Sequence, residues 1–198
     1  MILEAHAHEL AASGLTTATI FDNGIYSANA AECSALLGYG VGPGLVFPYD
    51  RAGVNGTPTY ARVKIDNPGA DGKRYRSPRA RGNHVYIPFT NDVRGLCDTT
   101  KTLYLTEGEK KALAIVQAGF LCVGLSGVWS WRHRPVKDGP SVPIDDLHVL
   151  PWAGRRVVIV FDSDAASNRD VQAAETTLAY ELAGRGARVF IKRLPHAA

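Results

Sequence analysis

From residue 102 onward the chain alternates short apolar β-type runs with helical patterns. This rhythm limits the fold more than any other feature. Residues 102–106 (Thr-Leu-Tyr-Leu-Thr) predict a strand. Residues 108–118 predict a helix with Ala112, Leu113, Ile115 and Val116 as apolar positions and Gly119 just past its end. A second strand is expected over 120–125. Residues 126–143 read as irregular, and 144–152 as a short helix. Residues 156–161 enclose Val157-Val158-Ile159-Val160, the unbroken apolar run of a strand buried on both faces. A helix over 169–185 carries Val171, Ala174, Leu178 and Leu182 on one face, with Ser167 or Asn168 as its cap. Residues 188–192 complete the series. Strands separated by helices pair in parallel through right-handed crossovers. The expectation for 99–198 is therefore an α/β lobe, a parallel sheet with flanking helices.

The upstream part has another texture. Residues 3–38 are Ala-rich and helical in pattern, broken at Gly14 and Gly24. Residues 44–49 read as a strand. Residues 59–65 alternate polar and apolar with period two, which predicts a half-buried strand with Arg62 and Lys64 on its polar face. Short extended pieces follow at 73–78 and 85–88, and a polar linker at 91–101. The expectation is a smaller mixed α+β lobe over 1–98 with an antiparallel sheet.

With 45% hydrophobic and 21% charged residues, the composition suits a soluble globular protein. No run approaches the roughly 18 apolar residues of a membrane span. The opening Met1-Ile2-Leu3-Glu4 lacks a basic segment before an apolar run, so no signal peptide and a cytoplasmic location are expected. Cys33, Cys97 and Cys122 are odd in number and far apart, which gives no basis for a zinc ribbon or a disulfide framework.

The formal net charge is +3, but its distribution is uneven. Between residues 62 and 81 stand Arg62, Lys64, Lys73, Arg74, Arg76, Arg79 and Arg81 against only Asp66 and Asp71. The rest of the chain is net acidic. One basic strip on an acidic protein points to a polyanion, and Tyr60, Tyr75 and Tyr86 interleave with the cations as stacking groups for bases.

Two acidic clusters stand where strands end. Glu107 leaves the strand at 102–106, and Gly108 permits a tight turn into the helix that begins with Glu109-Lys110-Lys111. Asp162 leaves the strand at 156–161, and Asp164 follows two residues later. Ligands of open α/β sheets bind outside the carboxyl ends of the strands. If these two strands are neighbours, Glu107, Asp162 and Asp164 face one crevice. An all-oxygen donor set favours Mg²⁺ or Mn²⁺, and such an ion pairs naturally with phosphate esters. Lys110 and Lys111 are placed to meet phosphates. Neither GxxxxGK[ST] nor GxGxxG is present, so the common phosphate loops are excluded. The loop segment Trp129-Ser130-Trp131-Arg132-His133-Arg134 offers aromatic and basic groups to stack on a base or cover the crevice.

The order strand–Glu107-Gly108–helix, then strand–Asp162-x-Asp164–helix, resembles the Toprim domain over about residues 102–193. Upstream, Leu45-Val46-Phe47-Pro48-Tyr49-Asp50, Tyr60-Ala61-Arg62 and Lys73-Arg74-Tyr75-Arg76-Ser77-Pro78 resemble the N-terminal lobe of the DnaG-type primase core. The segments Glu107-Gly108-Glu109-Lys110-Lys111-Ala112 and Gly124-Leu125-Ser126-Gly127-Val128-Trp129-Ser130-Trp131 are similar to a group of primase-like proteins of plasmids and mobile elements. No Cys/His zinc-ligand set stands before the core. The resemblance implies a Toprim-like parallel sheet behind a primase-type N-terminal lobe. It implies a metal-dependent nucleotidyltransferase that makes primers on single-stranded DNA from nucleoside triphosphates, with a replicative helicase as a partner. Glu107, Asp162 and Asp164 would be catalytic and metal-binding. Arg62, Lys64, Lys73, Arg74, Arg76, Arg79, Lys110 and Lys111 would contact nucleic acid or nucleotide. The rival readings are a Toprim nuclease and a non-catalytic nucleic-acid-binding accessory protein.

Overall fold

The computed structural model describes residues 1–51, 56–161 and 168–193. The chain forms two compact units, Met1–Gly82 and Asn83–Ala198.

The first unit opens with helices α1 (Glu4–Ala12) and α2 (Thr17–Asp22), then strand β1 (Tyr26–Ala28) and helix α3 (Ala30–Leu37). Strands β2 (Gly44–Pro48), β3 (Ala61–Ile65) and β4 (Tyr75–Arg76) follow, and β1-β2-β3-β4 form one antiparallel sheet. The helix α3 begins at a reciprocal cap. The Asn29 side chain accepts from the Glu32 N–H at 3.0 Å, and the Glu32 carboxylate accepts from the Asn29 N–H at 2.8 Å. Its Cys33 and Leu37 pack on Ala28, Val46, Ala61, Val63 and Ile65, one face of the sheet. In the register Leu45 pairs with Lys64, Phe47 with Arg62, and Lys64 with Tyr75, so these side chains share the opposite face. Helix α1 reaches that face through an ion pair from Glu9 to Lys64. The buried His6 side chain fixes the same helix, with Nδ1 2.8 Å from Ser27 Oγ and Nε2 2.7 Å from Asp66 Oδ1.

The second unit contains α4 (Val93–Cys97), β5 (Leu103–Glu107), α5 (Glu109–Gln117), β6 (Leu121–Leu125), a two-stranded hairpin of β7 (Arg132–His133) and β8 (Val142–Pro143), α6 (Asp146–Val149), β9 (Arg156–Val160), α7 (Arg169–Gly184) and β10 (Arg188–Ile191). The order β10-β9-β5-β6 is parallel throughout. Leu103, Leu105, Val123, Leu125, Val157 and Ile159 form one face and meet Val171, Ala174, Leu178 and Leu182 of α7. On the other face α5 comes close. A Cβ on Gly124 would stand 3.2 Å from both the Ala112 Cβ and the Gly108 carbonyl oxygen, so a larger residue there would push the helix back by a few tenths of an ångström. Helices on both faces explain why β9 is apolar without alternation.

The division falls at Gly82/Asn83, earlier than a boundary at 98/99, because residues 83–98 pack with the parallel sheet. Val85 and Leu96 join its core. Tyr86 exchanges two backbone hydrogen bonds of 2.8 Å with Gly124. The Asn91 side chain donates to the Cys122 carbonyl at 2.7 Å and accepts from its N–H at 3.3 Å.

Two local differences from the sequence expectation have physical causes. Tyr26–Ala28 is a strand inside the stretch read as helical; it takes its place from pairing with β2. The polar linker at 91–101 contains α4, whose Leu96 is buried. That helix is held by Arg155, which is fully buried and donates to the carbonyls of Gly95 (2.9 Å), Leu96 (2.6 Å) and Lys101 (3.2 Å). Burial pulls its guanidinium below the ordinary value, with Asp98 and Cys97 acting the other way.

Replacing Arg155 with Met orphans three carbonyls. Each unsatisfied buried acceptor costs about 1–3 kcal/mol, so the second unit should lose about 3 kcal/mol or more. All three tryptophans, Trp129, Trp131 and Trp152, lie in that unit, so a urea titration followed by indole fluorescence reads it directly.

Candidate functional site

The sheet order creates a crevice by connectivity alone. From β5 the chain passes through α5 to β6 on one side; from β9 it passes through α7 to β10 on the other. The adjacent strands β5 and β9 thus send their connections in opposite directions, and such a switch point opens a ligand crevice at the carboxyl ends. The Thr106 hydroxyl, buried, donates to the Val160 carbonyl at 2.6 Å and ties the two strands together at that end.

Glu107 is the last residue of β5, opposite Leu125 in β6, and is half-buried. The next residue explains its position. Gly108 has φ +85° and ψ 149°, a backbone region that essentially only glycine occupies. Its N–H donates to the Leu125 carbonyl at 2.7 Å, so the β5–β6 pairing extends one step before α5 begins. Strand, reversal and helix are compressed into consecutive residues, and Glu107 is held at the strand terminus.

Lys110 and Lys111 lie in the first turns of α5 and are half-buried. Glu109, between them and Gly108, is 2% exposed. Its carboxylate sits at the positive end of the helix. It also lies close enough to the buried Tyr86 that, after burial itself, it is the second cause raising the Tyr86 phenol above its ordinary value. In sequence Glu109 looks like a solvated helix start; its burial follows from Tyr86 covering β6, a pairing with no local signature. Phe161, buried, follows β9. Asp162 and Asp164 lie outside the described residues. Among the described residues no group of three or more His, Cys, Asp or Glu side chains is gathered for a metal.

The basic strip of the first unit resolves into unlike groups. Arg62 is 7% exposed, with Nε donating to Ser77 Oγ at 3.2 Å and its guanidinium 5.3 Å from the Tyr75 ring centre. Lys64 is paired with Glu9. Arg76 makes a two-pronged pair with Asp71 at 2.7 and 2.8 Å, which holds the Asp71 carboxyl below the usual range. It lies on the sheet face opposite to Arg62 and Lys64, since it pairs with Val63. Lys73, Arg74 and Arg79 are exposed, and Arg79 lies 5.6 Å from the Tyr39 ring centre.

The family model described as Domain of unknown function (DUF3854) matches residues 96–198. The chain belongs to this family. The matched segment runs from α4 through the whole parallel sheet, so the DUF3854 region of this chain contains the β5–β9 switch point. No curated protein matches the sequence. Among solved structures, that of the DnaG catalytic core is similar to this DUF3854 member, with a TM-score of 0.61 and 19% identity over 98% of this chain and 66% of that one. The chain therefore spans just under two thirds of the length of that structure. At this identity the likeness is one of fold. The architecture is the α/β one read from the sequence, a Toprim-type parallel sheet with flanking helices, preceded in the chain by a smaller α+β lobe.

The Gly108 geometry has a direct consequence. A Cβ there meets nothing within 4 Å, so the strain of Gly108→Ala is conformational and not steric. The variant should be destabilised by about 1–3 kcal/mol, read as a lowered urea midpoint.

Proposed function

We propose that this chain is a primase-type, metal-dependent nucleotidyltransferase that synthesises primers in DNA replication. The observation that carries this reading is Glu107 at the carboxyl end of β5, beside β9 at the switch point, in a fold similar to the DnaG catalytic core. Asp162 and Asp164 follow β9 in the sequence and complete an oxygen-only donor set with Glu107. That chemistry fits Mg²⁺ or Mn²⁺, and these three residues would hold it. When bound, such an ion neutralises charge on the reacting phosphates.

The side chains of this protein take the remaining tasks. Glu107 helps receive the proton of the attacking 3′ hydroxyl. Lys110 and Lys111, at the start of α5, meet triphosphate or template phosphates. In the first unit Lys73, Arg74 and Arg79 are exposed cations for a single strand, whereas Arg62, Lys64 and Arg76 act on it only by exchanging their present partners. The substrates are single-stranded nucleic acid and nucleoside triphosphates, and a replicative helicase is the partner. The segments 107–112 and 124–131 support placing the chain with primase-like proteins of plasmids and mobile elements. Among the described residues no helix is long and apolar enough to cross a membrane, and a cytoplasmic location is part of the same proposal.

Primer synthesis from labelled nucleoside triphosphates on single-stranded DNA, run beside a plasmid-nicking assay, tests the reading. Glu107→Gln and Asp162→Asn should each lower synthesis by about 10²–10⁴-fold. Nicking without synthesis would transfer the site to a nuclease. If neither substitution changes either activity, no enzyme reading survives.

Strand binding is separable from chemistry. The double charge reversal Lys73→Glu/Arg74→Glu should weaken binding of a single-stranded oligonucleotide and reduce the salt slope of log K by about 1–2. Glu107→Gln should leave that affinity near the starting value in fluorescence anisotropy.

A further inference from the structure

The loop leaving β6 carries an arginine in an unusual setting. The Arg132 guanidinium lies 4.1 Å from the Trp129 ring centre and 5.2 Å from that of Trp131. Both indoles are fixed. Trp131 is 3% exposed and belongs to the core. The Trp129 N–H donates to both carboxylate oxygens of Asp170 at 3.1 Å. Asp170 is in the first turn of α7, which is itself capped by Asn168. Ser130 stiffens the turn between them, donating to the Gly127 carbonyl at 2.8 Å and accepting from its N–H at 3.1 Å.

These contacts locate the loop. It departs from Leu125, the register partner of Glu107, and is fastened to the helix that follows β9. It therefore runs along the carboxyl ends of the parallel strands.

A guanidinium has five N–H donors in its plane, and stacking on an aromatic ring engages the face and leaves that edge available. Among the described residues, no acceptor takes a hydrogen bond from the Arg132 side chain and no carboxylate pairs with it. The other half-buried or buried arginines differ. Arg62, also over a ring, donates to Ser77 Oγ at 3.2 Å, Arg76 holds Asp71, Arg155 caps three carbonyls, and Arg185 pairs with Glu181 at 2.8 Å. A cation stiffened by two indoles, with its donor edge unspent, is pre-organised for a planar or tetrahedral oxyanion.

The geometry points to Arg132 as a phosphate-binding residue at the carboxyl edge of the parallel sheet, with Trp129 and Trp131 as its mount and Asp170 as the positioning group. The ligand class is the phosphate of a nucleotide, carried either by a nucleoside triphosphate or by a nucleic-acid backbone. The assignment of nucleotide as the source rests on the function proposed above; the anion recognition does not.

The test uses the full chain and two probes, inorganic tripolyphosphate by calorimetry and a single-stranded oligonucleotide by anisotropy. Arg132→Met keeps the apolar stem and removes the donors. It should weaken at least one probe on the order of 10-fold, the loss that follows from removing charge-assisted hydrogen bonds. Loss with tripolyphosphate assigns Arg132 to the incoming triphosphate; loss with the oligonucleotide alone assigns it to the strand. Arg132→Lys guards against a folding defect and should also weaken the same probe, because a point charge does not replace the fork. Trp129→Leu should shift that probe in the same direction. Affinities within twofold of the starting protein for both Arg132 variants would overturn the inference. So would an equal loss in Lys137→Met, an exposed cation elsewhere in the excursion. The primase reading is judged separately. If Glu107→Gln abolishes synthesis while Arg132→Met binds normally, only the present inference falls. If no synthesis is found but Arg132→Met loses tripolyphosphate, only the primase reading falls.

Discussion

The adjacency of β5 and β9 is the constraint on which the rest of the second unit depends. Parallel pairing sets Thr106 beside Val160, and the Thr106 hydroxyl bonds the neighbouring strand's carbonyl where ordinary ladder contacts end. Because the two strands then diverge in connection, α5 leads away to β6 on one side and α7 to β10 on the other. Glu107 is the carboxylate placed at this point, half-buried at the end of β5. Gly108 makes that placement abrupt. An ordinary residue would hold this conformation only under strain.

The first unit is built on another logic. Its antiparallel sheet is covered on both faces, by α3 and by contacts from α1, so even the polar face of β3 is largely enclosed. Arg62 lies under Tyr75, and Lys64 under Glu9, where ion pairs are less screened than at the surface. The strip's charge that remains outside is carried by the segment around Lys73 and Arg74 and by Arg79 and Arg81. A basic count along the sequence therefore overstates the basic surface.

Much of the α/β architecture was legible because its signals are local. The apolar run of β9, the amphipathic face of α7 and the Glu107-Gly108 turn each lie within a few residues. The Asn168 cap, which accepts from the N–H groups of Asp170 and Val171, was visible for the same reason. What escaped depends on distant partners. Three residues of β1 acquire strand form only against β2, and α4 is stabilised by an arginine over fifty positions away. The Asp146 carboxylate, in the first turn of α6, accepts from the Val85 N–H at 2.7 Å and approaches His84, more than sixty positions away. Burial of Arg62 and Glu109 is likewise set by what covers them. In the candidate site, Glu107 was legible as a strand terminus followed by glycine; the half formed by Asp162 and Asp164 lies outside the described residues.

The two hydrogen bonds between Tyr86 and Gly124 have a further effect. They occupy the outer rim of β6, so that margin of the parallel sheet is already spoken for at its midpoint. The opposite margin is β10, where Phe190 and Ile191 are 46% and 40% exposed and the Arg156 guanidinium lies over the Phe190 ring. Growth of the sheet by backbone pairing is thereby steered to a single side. On that side the Arg156 guanidinium covers part of the Phe190 ring on one face of the strand, while Ile191 points to the other.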